Sequence, residues 1–395
     1  MKAKEQISLL IKQYYQDALN AKANGEKVGW VTSNFPQEII QTLDLCVIYP
    51  ENHAATVAVQ GQDGACCRAA EAEGFSNDIC SYAKVNLGYC LEEKLVEEKI
   101  PTPDYLLCCS NICHQLMKWY KYLEKKYNIP LILIDIPYNT DYEIDEIRFT
   151  YIKEQFWEAI HSLEEITGHK FDEEKFKEVM KISNQAGNLW NKISDLLIED
   201  TTALKGTDLF NYMGLVVCQR GKAKTVEALE TLYEELKKKN DRFREKNKVN
   251  WNYRILYEGI CCWPALIKLS VSFARYDMNM VGAIYTNAYG IEYNNFEEMI
   301  RAYTNVPNAI SLEKAKDLRV DEIKKKNCDG MLVHMSRSCK IWSGIMYEMM
   351  RQIQKEIDIP VITFDGDQAD KQNFSEAQFD TRLQGFYELM NDNDL

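Results

Sequence analysis

The 395-residue sequence has no apolar run long enough to cross a bilayer, and its first residues do not read as a secretory leader. Neither export nor a membrane span is therefore expected, and the expected location is the cytoplasm with its thiols reduced. Positive charge is in deficit: 47 Lys and Arg stand against 60 Asp and Glu, a formal charge of -13. That balance opposes binding along a nucleic-acid backbone unless a strong basic patch offsets it. The best candidate patch, Lys237 to Arg244, is short and interrupted by polar and acidic residues, so it reads as a solvated helix end. There is no C-x-x-C pair, and none of the five histidines stands at familiar zinc spacing. His53, His114 and His334 read as structural. Cysteine itself is plentiful, at thirteen. A chain of this length buries ample core without a disulfide scaffold. The adjacent pairs Cys66-Cys67, Cys108-Cys109 and Cys261-Cys262 cannot each serve one compact site, which assigns most thiols to packing and leaves three or four for a metal.

A local pattern occurs twice. Ser110-Asn111-Ile112-Cys113 closes the apolar strand Tyr105 to Cys109 and opens a helix carrying Leu116, Trp119, Tyr120, Leu123 and Tyr127, after which Ile129 to Ile134 reads as a strand. Ser336-Arg337-Ser338-Cys339 does the same between strand Gly330 to His334 and a helix carrying Trp342, Ile345, Met349, Ile353 and Ile357, with strand Ile359 to Phe364 next. In both copies the serine is expected to cap the helix, placing the cysteine in the first turn, where free N–H groups and the dipole favour a thiolate.

Upstream of each copy the order also repeats. Residues Glu5 to Ala23 read as an amphipathic cover helix; then come strand Val28 to Thr32, the loop Ser33-Asn34-Phe35-Pro36, helix Gln37 to Leu43 and strand Leu45 to Tyr49. Pro50-Glu51-Asn52-His53 is expected to turn the chain at that strand's end. His53 to Glu98 reads as short helices, one starting near Asp78 to Tyr82. In the second half, strand Tyr253 to Tyr257 runs into Gly259 to Pro264, a helix and an expected strand Ser270 to Phe273. Between the halves, Asp145 to about Asn247 is helical by pattern. The expected fold is α/β, with two related parallel-sheet, Rossmann-like domains at 1–145 and 249–395 joined by a helical segment at 146–248.

In parallel sheets with right-handed crossovers the strand C-termini share one edge, where ligands collect. Ser33, Glu51 and Cys113 follow strand ends in the first half; Cys339 and Asp365 do so in the second. Edges facing across an interdomain cleft would bring Cys113 and Cys339 together with Ser33 and Glu51, and Cys80 is the best third thiol. Three cysteines could hold zinc with an open position or an iron-sulfur cluster with one iron left free, and spacing does not choose.

Taken together, a set of longer motifs resembles the 2-hydroxyacyl-CoA dehydratase family, specifically α-type subunits of its isocaproyl- and phenyllactyl-CoA branch. These are Gly29-Trp30, Thr32-Ser33, Phe35-Pro36-Gln37-Glu38, Tyr49-Pro50-Glu51-Asn52, Leu107-Cys108-Cys109 through Cys113, and Gly259 with Cys262-Trp263-Pro264. His334-Met335, Arg337-Ser338-Cys339-Lys340 and Phe364-Asp365-Gly366-Asp367-Gln368-Ala369-Asp370 complete the set. The resemblance implies a heterodimer with a homologous β-type subunit, a 4Fe-4S cluster in each, and an ATP-dependent iron-sulfur activator protein that injects one electron. It implies Cys80, Cys113 and Cys339 as cluster ligands, and Ser33 and Glu51 as the polar pair near the hydroxyl of a 2-hydroxyacyl-CoA substrate.

That chemistry needs such help. The β-hydrogen of a 2-hydroxyacyl-CoA is not acidic and hydroxide leaves poorly, so acid-base catalysis alone faces a high barrier. A ketyl radical, formed by one electron on the thioester carbonyl, would expel the hydroxyl and acidify the β-hydrogen, giving the 2-enoyl-CoA. Two rival readings are a benzoyl-CoA-reductase-type subunit, whose electrons stay in the product, and a relay subunit that binds no substrate. A polar pair beside an open iron argues against a pure relay.

Overall fold

Short apolar runs rich in Val, Ile, Leu and Cys, bounded by polar turns, form strands buried on both faces, as parallel sheets covered by helices require. The computed structural model describes residues 1–138, 143–200, 202–246, 251–307 and 310–392. Among them are two four-stranded sheets. The first comprises β1 (Val28–Val31), β2 (Cys46–Ile48), β3 (Tyr105–Cys109) and β4 (Leu131–Ile134), in the spatial order β2-β1-β3-β4. The second comprises β5 (Tyr253–Glu258), β6 (Met278–Ala283), β7 (Gly330–Ser336) and β8 (Val361–Gly366), in the order β6-β5-β7-β8. Every pairing is parallel.

The two orders are the same topology, and local detail repeats with it. Each half enters its second strand through an aspartate in the left-handed region: Asp44 before β2 and Asp277 before β6, both at φ 50°. In each order the chain reverses direction of travel between its first and third strands, β1/β3 and β5/β7, and the crevice beyond their C-terminal ends is where open α/β sheets hold ligands. At the second crevice Gly259 has φ +107°, and a Cβ there would come within 2.7 Å of the His334 carbonyl oxygen. Glycine lets the chain leave β5 tightly against β7.

Helices Glu146–Thr167, Glu173–Asp195, Thr207–Gln219 and Ala223–Glu245 fill the middle of the chain. The first opens on Asp145, whose carboxylate accepts the Arg148 N–H at 2.8 Å, an N-cap bond. The expected end of this region at Asn247 and the boundary at 248/249 fall within 247–250, outside the described residues. Helix Ala3–Ala23 covers the first sheet, and its Tyr14 hydroxyl accepts the Tyr49 N–H at 2.9 Å just past β2. No helix among the described residues is long and apolar enough to cross a membrane.

Three local expectations are corrected. Ser270 to Phe273 is not a strand but part of helix Leu266–Arg275, and the second strand of that half is β6. Alternation in Ser-Val-Ser-Phe mimics a strand, yet Leu266, Leu269 and Phe273 are buried on one helical face while Ile267 and Val271 are exposed. Pro50 to His53 does not make a turn: Pro50 is the first residue of helix Pro50–Val59, where its missing N–H costs nothing. Ser110 and Ser336 are not caps. The helices begin at His114 and Lys340, so Cys113 and Cys339 themselves occupy the N-cap positions. Ser336 ends β7, and the Ser110 hydroxyl is 2.8 Å from Asp135 Oδ1.

Candidate functional site

The loop after β1 begins with Thr32, whose hydroxyl donates to Asn34 Oδ1 at 3.1 Å and accepts the Cys109 N–H at 3.3 Å, tying the loop to β3. This holds Ser33 at the crevice. Glu51, in the first turn of helix Pro50–Val59, meets it there: Oε2 accepts the Ser33 N–H at 2.7 Å and Oε1 accepts the Ser33 hydroxyl at 3.0 Å. Both residues are 9 % exposed. Burial pushes the Glu51 carboxyl up to about 7, with the two bonds from Ser33 pulling against the rise. A carboxyl so placed has both protonation states available at neutral pH, as acid-base work requires.

Cys113 and Cys339 stand at equivalent positions after the third strand of each sheet, and the Cys113 thiol accepts the Leu116 N–H at 3.4 Å. Cys80 lies between β2 and β3 in sequence but is carried to the second half by a set of bonds. The Ser81 N–H donates to the Ser338 hydroxyl at 3.0 Å, the Ser81 hydroxyl donates to Asp367 and accepts the Ala369 N–H at 3.0 Å, and Lys84 pairs with Asp370 at 2.8 Å. Gln368 Nε2 reaches the Cys80 sulfur at 3.2 Å. One cavity, of about 900 Å³ measured out to its open mouth, is lined by Cys80, Cys113, Cys339, Ser33 and Glu51 together.

Burial pushes all three thiols up, Cys113 to about 11 and Cys339 to about 12. Negative charge on Cys113 and Cys339 raises Cys80 further, and Cys113 raises Cys339, so the three thiols sense one another. As they stand they are protonated at neutral pH; a bound metal replaces those protons and lowers the cost of the thiolates. Among the described residues no three His, Cys, Asp or Glu side chains converge on a single ion. The thiols line the wall of one cavity. Three sulfur donors at helix entries lining one cavity are the donor type that iron-sulfur clusters take. The adjacent cysteine pairs are all buried in the core. Asp365 lies within β8, exposed, and borders a separate shallow hollow with Arg382.

Several lining residues went unread in the sequence. Tyr82, Tyr285 and Tyr289 line the cavity beside Ser33, the Tyr285 and Tyr289 rings meet edge-on with centroids 6.1 Å apart, and Trp263 Nε1 donates to the Tyr82 hydroxyl. These tyrosines, with Ser33 and Glu51, also border a second cavity that leads past Asn52, Thr56 and Gln60 to the exposed Val59. Arg220 reaches the first cavity from the end of helix Thr207–Gln219. Its Nη2 lies 3.3 Å from Glu38 Oε1 and its Nε donates to the Ser183 hydroxyl at 2.9 Å. Tyr293 and Tyr303 donate to the two Glu38 oxygens at 2.6 and 2.7 Å. Burial alone would raise Glu38, but Arg220 and the hydroxyls overcome it and hold the carboxyl below its ordinary value.

Residues 32–390 match the family model described as 2-hydroxyglutaryl-CoA dehydratase, D-component. The chain is similar to the (R)-phenyllactyl-CoA dehydratase alpha subunit of Clostridium sporogenes, at 46% identity over 98% of this chain and 96% of the relative. It is also similar to the (R)-2-hydroxyisocaproyl-CoA dehydratase alpha subunit of Clostridioides difficile, at 43% over 97% and 95%. A benzoyl-CoA reductase subunit of Thauera aromatica is more distant, at 25% over 95% and 91%.

Proposed function

This chain belongs to the 2-hydroxyglutaryl-CoA dehydratase D-component family, and from that premise we propose that it is the α-type, substrate-binding subunit of an (R)-2-hydroxyacyl-CoA dehydratase. The enzyme is a hydro-lyase, removing water from a 2-hydroxyacyl-CoA to give the 2-enoyl-CoA. The observation that carries the reading is the hydrogen-bonded Ser33–Glu51 pair on the wall of the cavity that also exposes three thiols.

In this reading Cys80, Cys113 and Cys339 hold a 4Fe-4S cluster. Bound there, such a cluster would supply a single electron and a Lewis acid for a thioester carbonyl. The chain's own residues do the rest. Ser33 Oγ orients the substrate 2-hydroxyl, and Glu51 in its protonated form delivers the proton that lets this oxygen leave as water. The apolar walls exclude bulk water from the reacting carbons. A homologous β-type subunit closes the cavity mouth, an ATP-dependent iron-sulfur activator protein supplies the electron, and the whole works anaerobically in the cytoplasm.

Anaerobic co-purification of the two subunits, addition of activator and ATP, and assay with 2-hydroxyacyl-CoA thioesters tests this. The expected result is many redox-neutral turnovers for one activation, and none from this subunit with activator alone. Stoichiometric electron consumption per product would instead mark a reductase.

A further inference from the structure

We infer that Gln368 tunes the redox site: its side-chain N–H, aimed at the Cys80 sulfur by Ser336, steadies the negative charge that arrives with an added electron and makes the site easier to reduce. The inference rests on the cluster reading above and adds to it a positioning residue that governs how readily the electron is taken up.

Gln368 is buried, and both ends of its side-chain amide are engaged. Nε2 donates to Cys80 Sγ at 3.2 Å, and Oε1 accepts the Ser336 hydroxyl. Ser336 is the last residue of β7 and is paired with Gly366 at the end of β8, so the hydroxyl that holds the amide is itself fixed by the sheet. The main chain of Gln368 is held too. Its carbonyl accepts the Trp263 N–H at 3.2 Å, and the next N–H, of Ala369, donates to the Ser81 hydroxyl at 3.0 Å. The amide therefore presents its donor end to the sulfur; turned over, it would aim a carbonyl oxygen at a thiolate.

Holding Cys80 in place does not need this bond. The loop is already fastened through Ser81 to Ser338 and Asp367, and through Lys84 to Asp370. What Gln368 adds falls on the sulfur itself. Reduction brings one electron, with no bond broken and no proton moved, and part of the new charge resides on the ligand sulfurs. An N–H directed at such a sulfur favours the more negative state, and hydrogen bonds of this kind are among the levers that set iron-sulfur potentials. Burial strengthens the effect, because little water competes for the sulfur. Cys113 offers the contrast: its 3.4 Å donor is the backbone N–H of Leu116, which no side-chain replacement removes, whereas the contact on Cys80 hangs on one side chain.

The test uses the anaerobically purified two-subunit enzyme, iron analysis, and a dye-mediated redox titration followed by electron paramagnetic resonance, with the partner subunit's cluster as the unshifted reference. Gln368→Met keeps the length of the side chain and removes its N–H. At a fixed potential the ratio of reduced to oxidised cluster in this subunit should fall roughly 10-fold, equivalent to about 59 mV for one electron, with iron content unchanged. Ser336→Ala releases the amide to turn and should give a smaller fall of the same sign. A ratio unmoved or raised in whichever of the two variants retains its iron would overturn the inference and leave the cluster reading intact. Loss of iron from both would make Gln368 a structural residue of the site and overturn the inference as well. Wild-type enzyme that binds no iron would overturn the cluster reading itself.

Discussion

Glu51 grips Ser33 at two points, one carboxylate oxygen on the backbone N–H at 2.7 Å and the other on the hydroxyl at 3.0 Å. The first sheet's first strand and its second crossover are thus joined by a single buried carboxyl at the mouth of the crevice. Anything that changes the charge on Glu51 is felt at Ser33.

Replacing Glu51 with Gln keeps the shape and removes the proton chemistry. Iron content and the cluster spectrum should stay at wild-type levels while kcat falls by roughly 10² to 10⁴. Ser33→Ala should cost less, because Glu51 remains. Iron analysis beside steady-state kinetics checks both, and a Glu51→Gln enzyme working at the wild-type rate would remove the carboxyl from the chemistry.

The elevated Glu51 value also makes stability depend on pH. Its carboxyl moves from 4.5 up to about 7 on folding because burial disfavours the charge. The native state then binds the proton more tightly than the unfolded chain, so this contribution is full below about pH 4.5 and is lost as pH rises through about 7. Glu51→Gln cannot ionise and lacks that slope. Its unfolding free energy relative to wild type should grow between about pH 5 and pH 8 in denaturant titrations; a constant difference would mean that the carboxyl titrates as in water.

For the thiols, alanine at Cys80, Cys113 or Cys339 should each lower bound iron and the charge-transfer absorbance. Alanine at the buried Cys109 or Cys262 should destabilise the core by about 1 kcal/mol and leave the iron in place. Full iron in Cys113→Ala would refute the ligand set.

Arg220 and Glu38 form a buried pair that ties the short helix Gln37–Thr42, after β1, to the helical segment. Arg220→Met should cost about 3–5 kcal/mol by leaving Glu38 uncompensated, and Arg220→Met with Glu38→Leu should cost less than Arg220→Met alone. Equal losses in the single and double variants would show that the charges are not coupled.

Legibility differed by the range of the interaction. Both sheets are readable because their strands are continuous apolar runs followed by turn residues, and Ser33, Glu51, Cys113 and Cys339 are readable because each follows such a run. All four, with Cys80, line one cavity. Ser270 to Phe273 misleads because four residues of alternation fit either period, and only the neighbours at Leu266 and Leu269 decide. The serine caps fail because Ser336 is still paired within β7 against Gly366. Arg220 and Tyr289 have no local signature at all. They sit in turns just past helix ends, and what they share a site with, Glu38 and Ser33, lies more than a hundred positions away in the chain.

The attachment of Cys80 to the far half sets an order of assembly. Ser81 is fastened to Ser338 and Asp367, partners 257 and 286 positions further on. During synthesis, Cys80 and Cys113 leave the ribosome long before the strands that anchor and complete the set, and domains form as units from the N-terminus onward. A nascent chain therefore displays two unanchored thiols and lacks the third until its last strands have been added. The three-thiol wall is thereby a property of the completed chain, present once the two halves have docked.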